Sequence, residues 1–328
     1  DQSNMPQPHF AYPRADKGSA AGLLARMYLN SKVYTGVERW QEAKTICETI
    51  FNMGYSLCPD HAALFRGDNG TNPLVQNEML WAIDYSSDYT DSYGGTTYIL
   101  SASLASTDIT DQSRPNGQVN GWAGLRVPYE YVSHYFNVSE QNYETGTYNV
   151  TDKRGEVFYI KGRQESMEGA LYSFMNGWSC LKFNNIPYGQ TNESFLPTSA
   201  QKGFSDVDFP MIRLGEIYLI YAEACMQLGV QSMAMPKLEE LSARAGVDPP
   251  SEITRDFLVE ERARELMWEG HRRTDLIRYG LYNTSEYLWP YKGGDAYEGQ
   301  SFPEYKCIFP IPPTELATNA NLRQNPGY

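Results

Sequence analysis

Long hydrophobic runs are absent from this 328-residue sequence. A helix that crosses a membrane needs about 20 consecutive apolar residues. The longest candidate, residues 217–226, falls well short of that length and is interrupted by Glu223. The sequence therefore predicts no transmembrane helix.

Cysteine is scarce, and its spacing excludes two common kinds of site. The five cysteines are widely separated, and no CxxC pair occurs. Structural zinc sites and thioredoxin-like redox sites usually contain such pairs, so the sequence favours neither. Cys47 and Cys225 fall within apolar helical patterns, and we expect both to be buried free thiols.

Positive charge is also in short supply. Lys and Arg number 27 against 40 Asp and Glu, which gives a formal net charge of −13 at pH 7. A chain with this balance repels phosphate backbones and anionic lipid surfaces. We therefore predict that nucleic acid is not a partner.

Recognisable catalytic motifs are missing as well. None of the four histidines lies in an HExxH motif, and GxSxG, GxGxxG and P-loop motifs do not occur. A glycosidase needs only two carboxylates, so composition alone leaves hydrolysis open. Glu261, Arg264 and Glu265 resemble acid–base machinery, but such groups more often form a solvated helix face or an ion-pair network, and we expect a structural role. We predict no catalytic residue and no cofactor, and we assign no metal site; the many Asp and Asn residues leave calcium binding open, although no contiguous EF-hand loop is present.

Tyrosine, by contrast, is abundant. The chain has 25 Tyr against 13 Phe and 6 Trp. A tyrosine ring combines a flat apolar face with a polar tip, which suits an exposed surface on which sugars stack. Tyrosine also fills out large extracellular folds, and composition alone does not separate the two interpretations.

Helical periodicity is found at both ends of the chain and is scarce between them. Apolar residues recur at helical spacing over 18–30 and 37–53, which predicts two short helices in a TPR-like hairpin. A wide apolar stripe follows a helix start expected at Asp208, and a partner helix is expected at 232–245. A charged helix is predicted at 255–270.

The middle of the chain, from about residue 55 to 205, is rich in Gly, Asn, Asp, Ser, Thr and Tyr. We expect long loops there, with small strands at 78–84, 157–161 and 181–183. Structureless loops of this length are uncommon unless they carry function. Ligand binding is therefore expected in this central region.

The predicted fold is mainly α, with TPR-like helical hairpins and a long irregular insert that contains small strands. Its three regions are expected to form one compact unit. They are a helical hairpin over 1–54, a loop-rich ligand-binding insert over 55–207, and C-terminal helices with an extended tail over 208–328.

Five segments, in order along the chain, carry a resemblance to one family. The segments are KGSAAGLLARMYLN (17–30), NGWAGLRVPYEYVSHYF (120–136), FPMIRLGEIYLIYAEACMQLG (209–229), EERARELMWEGHRRTDLIRYG (260–280) and IPPTELATNANLRQNPGY (311–328). Together they resemble the SusD/RagB family of outer-membrane nutrient-binding lipoproteins, whose members typically end on Gln-Asn-Pro-Gly-Tyr.

The resemblance implies a SusD-like protein that is not an enzyme. It implies a surface-exposed protein of the outer membrane that binds glycan and delivers it to a SusC-like TonB-dependent transporter. It also implies a lipid anchor on an N-terminal cysteine that this chain does not contain, so an N-terminal segment is expected before Asp1. A peptide-binding RagB-like subunit, a glycoside hydrolase and a protein-binding TPR scaffold remain alternatives.

The candidate ligand-binding residues lie in the central loops. Residues 84–100 place four tyrosines among short polar residues, and Trp122 has only Gly and Ala as close neighbours, so it has little local cover. By motif match, the resemblance assigns Tyr98 and Trp122 to an aromatic platform for starch-like glycans. A core position is the alternative for Trp122. The other candidates are Tyr89, Tyr93, Asp91 and Asn120.

Overall fold

Two compact units make up the chain in the computed structural model, which describes residues 5–9, 11–110, 112–195 and 203–328. The first unit extends to Glu269, and the second runs from Gly270 to Tyr328. The predicted division at residues 54 and 207 stays a prediction.

Helices dominate the described residues and confirm the mainly α prediction. The first unit contains α1 to α10, and the second contains α11 and α12. The helices are α1 Lys17–Leu29, α2 Ser31–Thr35, α3 Trp40–Phe51, α4 Pro73–Gln76, α5 Gly95–Ala102, α6 Tyr129–Phe136, α7 Asn192–Phe195, α8 Leu214–Gln227, α9 Met235–Ala245, α10 Arg255–Glu265, α11 Arg272–Arg278 and α12 Pro313–Thr318.

The strands are short and pair two by two in antiparallel fashion. The pairs are β1 with β6, β2 with β3, and β4 with β5. The strands are β1 Met79–Ile83, β2 Ser139–Asn142, β3 Thr147–Asn149, β4 Phe158–Tyr159, β5 Ser179–Cys180 and β6 Phe209–Arg213.

Helix α1 begins at a capping box and carries small residues on its buried face. The Ser19 N–H donates to the Asp16 carboxylate (3.1 Å), and the Asp16 N–H donates to the Ser19 hydroxyl (3.1 Å). A side chain at Gly22 would come within 2.7 Å of an Ile212 methyl group, so only glycine allows α1 to lie this close to β6. The predicted N-terminal hairpin is present, since α1 packs against α3.

Helix α8 is the central helix of the first unit. Every residue from Leu214 to Cys225 is buried, and the helix packs against α1, α3, α9 and α10. Tyrosine hydroxyl groups of α8 bond to neighbouring helices, as in the hydrogen bond that Tyr218 donates to Glu240 of α9 (2.8 Å). Cys47 and Cys225 are buried free thiols, as predicted. No helix among the described residues is long and apolar enough to cross a membrane.

The helix start predicted at Asp208 is wrong. Residues Phe209–Arg213 form β6, and α8 begins only at Leu214. Pairing with β1 explains the difference, because Ile83 lies opposite Phe209 and Met79 opposite Arg213. A contact more than 120 residues away in sequence therefore overrides the local helix signal.

The central region is more ordered than its sequence indicates. Helices α5 and α6 were not predicted, and the strand expected at 181–183 lies instead at Ser179–Cys180. The strand expected at 157–161 is present but short, at Phe158–Tyr159. Trp178 is fully buried at the centre of an aromatic cluster, which gives this region a core of its own.

The second unit contains a buried lysine held by backbone carbonyls. The Lys292 ammonium donates to the carbonyl oxygens of Thr284 (2.6 Å), Leu281 (3.2 Å) and Tyr287, and lies 4.7 Å from the centre of the Trp289 ring. Burial lowers the pKa of this ammonium. Its hydrogen bonds satisfy the buried donors and bring the surrounding loop together.

Candidate functional site

Four aromatic side chains from three separate segments meet at the surface of the first unit. The Trp122 ring centre lies 5.9 Å from that of Tyr93 and 6.5 Å from that of Tyr98, and the Tyr93 ring lies 5.3 Å from Phe204. Tyr93 is 71% exposed, Tyr98 46% and Trp122 38%. We call these four residues the aromatic platform.

Trp122 is held in place through the backbone. Its N–H donates to the Ser101 carbonyl at the end of α5 (2.8 Å), and the next N–H, that of Ala123, donates to the Leu104 carbonyl (2.9 Å). A side chain at Gly121 would lie 2.4 Å from the Ala105 carbonyl oxygen, so this close approach requires glycine. These backbone contacts fix the position of the segment that carries the indole. The indole is partly exposed, as its small flanking residues predict.

Tyr98 belongs to α5, which the surrounding loops fix in position. The Ser205 N–H donates to the Thr97 hydroxyl (3.0 Å), and the Asn116 amide donates to the Leu100 carbonyl (2.8 Å). Gly95 begins the helix with a φ of +54°. The platform residue Tyr98 therefore lies on a helix that is anchored at both ends.

Phe204 is the platform residue that the sequence prediction missed. Asn185 accepts a hydrogen bond from the Asp206 N–H (2.7 Å) and donates to the Phe204 carbonyl (3.4 Å). The neighbouring Gly203 approaches Asn120, whose amide nitrogen would lie 3.1 Å from a side-chain carbon at that position. An aromatic residue after glycine in a polar stretch was the available signal, as at Trp122.

The loop before α5 carries the remaining candidates. Its start is tied down where the Tyr85 N–H donates to Asp208 (2.8 Å) and the Ser87 N–H donates to Asp206 (2.7 Å). Tyr89 is 90% exposed, and within the described part of the chain its ring contacts no other aromatic ring. Asp91 is exposed on the same loop. The structure thus brings Tyr93, Tyr98 and Trp122 together with Phe204 and places Asn120 beside Gly203; a binding role for each predicted residue stays a prediction.

Asp208 anchors this loop with a perturbed carboxyl group. Burial, aided by the nearby Asp84, raises the pKa of Asp208 to about 6, against an ordinary value of 3.8. Hydrogen bonds from the Tyr85 N–H and from the Tyr12 hydroxyl (2.8 Å) favour the charged form but do not offset burial. Asp208 therefore changes charge in mildly acidic solution.

Asp208→Asn is expected to flatten the pH dependence of stability between pH 4 and 6. In this window the folded wild type keeps a proton that the unfolded chain has released, so its free energy of unfolding falls as pH rises. A pKa difference of this size corresponds to about 2–3 kcal/mol. Urea unfolding of wild type and Asp208→Asn at pH 4, 5, 6 and 7 measures this difference. If the free energy of unfolding depends on pH in the same way for the two proteins, the pH dependence does not come from Asp208.

A second charged cluster lies inside the first unit. Arg213 donates to Glu265 (2.6 Å), Glu78 (3.1 Å) and Glu269 (2.6 Å), and all four side chains are almost inaccessible to solvent. Arg244 also contacts Glu78 and Glu265. We call Glu78, Arg154, Lys182, Arg213, Arg244, Glu261, Glu265 and Glu269 the buried charge network.

The network decides how Glu261 and Glu265 are interpreted. Both carboxylates accept hydrogen bonds from Arg154, at 2.6 Å and 3.0 Å. Burial alone would raise the pKa of Glu265, but the surrounding guanidinium groups, led by Arg244 and Arg213, hold it well below its usual range. Burial lowers the pKa of the neighbouring His61 well below its ordinary value. Glu261 and Glu265 form an ion-pair network with the surrounding arginines, which is one of the two structural roles that the sequence left open.

Metal ligands do not converge in the part of the chain that the structure describes. No group of three or more His, Cys, Asp or Glu side chains there has an arrangement that could hold an ion. The aromatic platform is therefore the candidate site. Its exposed rings offer flat apolar faces, and its edge offers the Asn120 amide.

Sequence comparison relates the chain to SusD and SusD-like proteins. The SusD family model matches residues 77–328. The starch-binding protein SusD of Bacteroides thetaiotaomicron is 31% identical, in an alignment that covers 100% of this chain and 63% of SusD. A SusD-like protein of Bacteroides ovatus is 26% identical over 82% of this chain and 47% of its own length. The chain thus spans less than two thirds of these curated relatives.

Structure comparison supports the same fold. The surface glycan-binding protein A from Bacteroides thetaiotaomicron, solved in complex with laminarihexaose, is similar with a TM-score of 0.68. The alignment covers 98% of this chain and 66% of that protein, at 21% sequence identity. A likeness at this identity shows a shared fold, and it confirms the predicted SusD-like architecture.

Two independent comparisons agree on family membership. The family model extends over more than half of the chain, and it includes four of the five segments that carried the resemblance in the sequence. The starch-binding relative aligns along the whole chain. The chain therefore belongs to the SusD family.

Proposed function

We propose that the protein binds glycan on the aromatic platform and does not catalyse its breakdown. The observation that carries this proposal is the convergence of Tyr93 and Tyr98 from one segment with Trp122 from another into one exposed surface. Large apolar rings left in contact with water are unfavourable unless a ligand covers them. A sugar ring supplies a flat apolar face of matching size.

The polar surroundings of the platform suit a neutral ligand. Asn120 lies beside it and offers both a donor and an acceptor to sugar hydroxyl groups. The net charge of −13 disfavours a strongly anionic polymer. Two relatives add support, since one is named for starch binding and another was solved with laminarihexaose. We therefore propose a neutral glucan as the ligand class.

The cellular role follows from family membership and stays a proposal. We infer that the protein lies on the outer surface of the outer membrane, held by a lipid on an N-terminal cysteine outside this chain. Its proposed partner is a SusC-like TonB-dependent transporter, to which it delivers bound glycan. Family membership supports this role. Co-purification with a SusC-like transporter would test the partnership.

A panel of polysaccharides tests the proposed activity. Native gels would be cast with amylopectin, laminarin, xylan or pectin. The gels that contain amylopectin or laminarin, the two neutral glucans, are expected to slow the migration of the protein. No new reducing ends are expected after prolonged incubation. New reducing ends would instead indicate a glycoside hydrolase. Binding to a peptide library with no glycan binding would favour a RagB-like subunit, and capture of protein alone would favour a TPR scaffold.

A further inference from the structure

A cavity of about 410 Å³ lies between the residues that lead into α1 and the start of β1. Residues 9–16 form one side of it, and residues 73–81, which include α4, form the other. Cavities of about 300–1,000 Å³ commonly bind small molecules in proteins. The lower part of that range suits a mono- or disaccharide. None of the four residues of the aromatic platform lines this cavity, so it is a separate feature of the first unit.

Contacts with distant parts of the first unit fix the side of the cavity that residues 9–16 form. The Tyr12 hydroxyl donates to the Asp208 carboxylate (2.8 Å). The centre of the His9 ring lies 4.2 Å from that of Tyr55, which follows α3. A hydrogen bond and a ring contact therefore hold this side in place, and the cavity is formed before any ligand enters it.

The opposite side of the cavity has an apolar floor with an aromatic ring. Met79 and Leu80 of β1 are buried, and the pairing of β1 with β6 fixes their backbone. Trp81, the next residue of β1, is half-buried and lines the cavity. Asn77 precedes the strand, and its carbonyl oxygen accepts a hydrogen bond from the Ser56 N–H (3.0 Å). The floor therefore offers a flat apolar surface beside a fixed polar residue.

The polar groups of the cavity are mainly donors. The Arg14 guanidinium, the Trp81 indole N–H and the Asn77 side-chain amide have no hydrogen-bond or ion-pair partner among the residues that the structure describes. Asp16 is the one carboxylate among the described lining residues, and it already accepts a hydrogen bond from the Ser19 N–H at the start of α1 (3.1 Å). A guanidinium is a planar fork that matches a carboxylate, so these donors favour an anionic ligand.

We propose that this cavity is a second binding site and that it takes a small sugar acid, a mono- or disaccharide that carries a carboxylate. Arg14 pairs with the carboxylate, Asn77 bonds to ring hydroxyl groups, and the Trp81 ring covers the apolar face of the sugar. The guanidinium distinguishes this site from the aromatic platform, for which a neutral ligand is proposed. The inference does not depend on glucan binding at the platform.

Fluorine NMR of the protein labelled with 5-fluorotryptophan tests the inference at a single residue. Comparison with Trp81→Phe identifies the Trp81 resonance. Galacturonic acid and digalacturonate are expected to shift this resonance, whereas galactose and maltohexaose are expected to leave it in place. Arg14→Gln keeps a polar side chain but removes the positive charge. It is expected to weaken galacturonate binding about tenfold, because the charge-assisted hydrogen bonds to the carboxylate are lost.

The matched control is Arg39→Gln, which changes a surface arginine that pairs with Glu42. It is expected to bind galacturonate as wild type does. Arg14 is exposed, so the thermal melt of Arg14→Gln is expected to match that of wild type.

Three results would overturn the inference. If galacturonate leaves the Trp81 resonance unchanged, the cavity is not a sugar-acid site, and the proposed glucan binding at the platform is unaffected. If galactose shifts the resonance as much as galacturonate does, or if Arg14→Gln binds galacturonate normally, recognition of the carboxylate by Arg14 is wrong. If sodium acetate or an acidic dipeptide shifts the resonance more than galacturonate does, the assignment of a sugar is wrong.

Discussion

Replacement of Arg213 by methionine is expected to lower the free energy of unfolding by about 3–5 kcal/mol. The guanidinium is 1% exposed and donates to three carboxylates, those of Glu78, Glu265 and Glu269. Methionine fills part of the space but supplies no charge. Three buried carboxylates then lose a shared partner, and leaving charge buried without compensation is among the costliest changes to a protein interior.

Neighbouring cations do not make up for the loss. Arg244 keeps its contacts with Glu78 and Glu265, and Lys182 keeps its contact with Glu269 at 2.7 Å. Each of these three carboxylates would nevertheless lose the hydrogen bond from Arg213, in a region that water does not reach. The destabilisation should diminish at low pH, where the carboxyl groups of the unfolded chain are protonated and the wild type itself loses the benefit of the ion pairs.

Urea unfolding at pH 7 measures this effect, with the free energy taken from the linear dependence on urea concentration. The control is Arg39→Met, because Arg39 pairs with Glu42 at the surface, where both side chains are well exposed. The unfolding midpoint of this control is expected to stay close to that of wild type. If the unfolding midpoint of Arg213→Met lies as close to the wild-type midpoint as that of Arg39→Met does, a structural role for the buried charge network is contradicted.

Trp122→Ala is expected to weaken glycan binding at least about tenfold and to leave the unfolding temperature nearly unchanged. Stacking contributes about 0.5–1.5 kcal/mol beyond the burial of ring area, and loss of that burial adds to it, so the total exceeds the 1.4 kcal/mol that corresponds to tenfold. The ring is 38% exposed and belongs to a surface segment. Its backbone hydrogen bonds with Ser101 do not involve the side chain and are kept in the variant.

Trp178 provides the matched control, since it is the same residue type at a fully buried position. Trp178→Ala should cost about 3–5 kcal/mol of stability, the usual effect of a large-to-small change in a core. Calorimetric titration with laminarihexaose or maltohexaose, together with thermal melts, separates the two cases. A Trp122→Ala variant that binds normally, or one that unfolds as Trp178→Ala does, removes Trp122 from the proposed site.

The sequence by itself determined those features that depend on neighbours along the chain. Helical periodicity located α1, α3, α8 and α9, because an amphipathic helix repeats its apolar residues every three to four positions. The short strand predicted at 78–84 is β1, Met79–Ile83. Small flanking residues correctly indicated that Trp122 is partly exposed. The ordered motifs identified the family, which the comparisons confirmed.

Only the tertiary structure decided which distant residues meet. Phe204 joined the platform because Asn185 holds its backbone, and no local pattern encodes that hydrogen bond. Residues 209–213 became a strand because β1 offers unpaired backbone groups, and satisfying those groups outweighs a local helix preference. Likewise, the carboxylate of Glu265 is an ion-pair partner because arginines from three other segments surround it. The ionisation and burial of a side chain depend on the groups that surround it in the folded protein. The spacing of residues along the chain does not specify those groups.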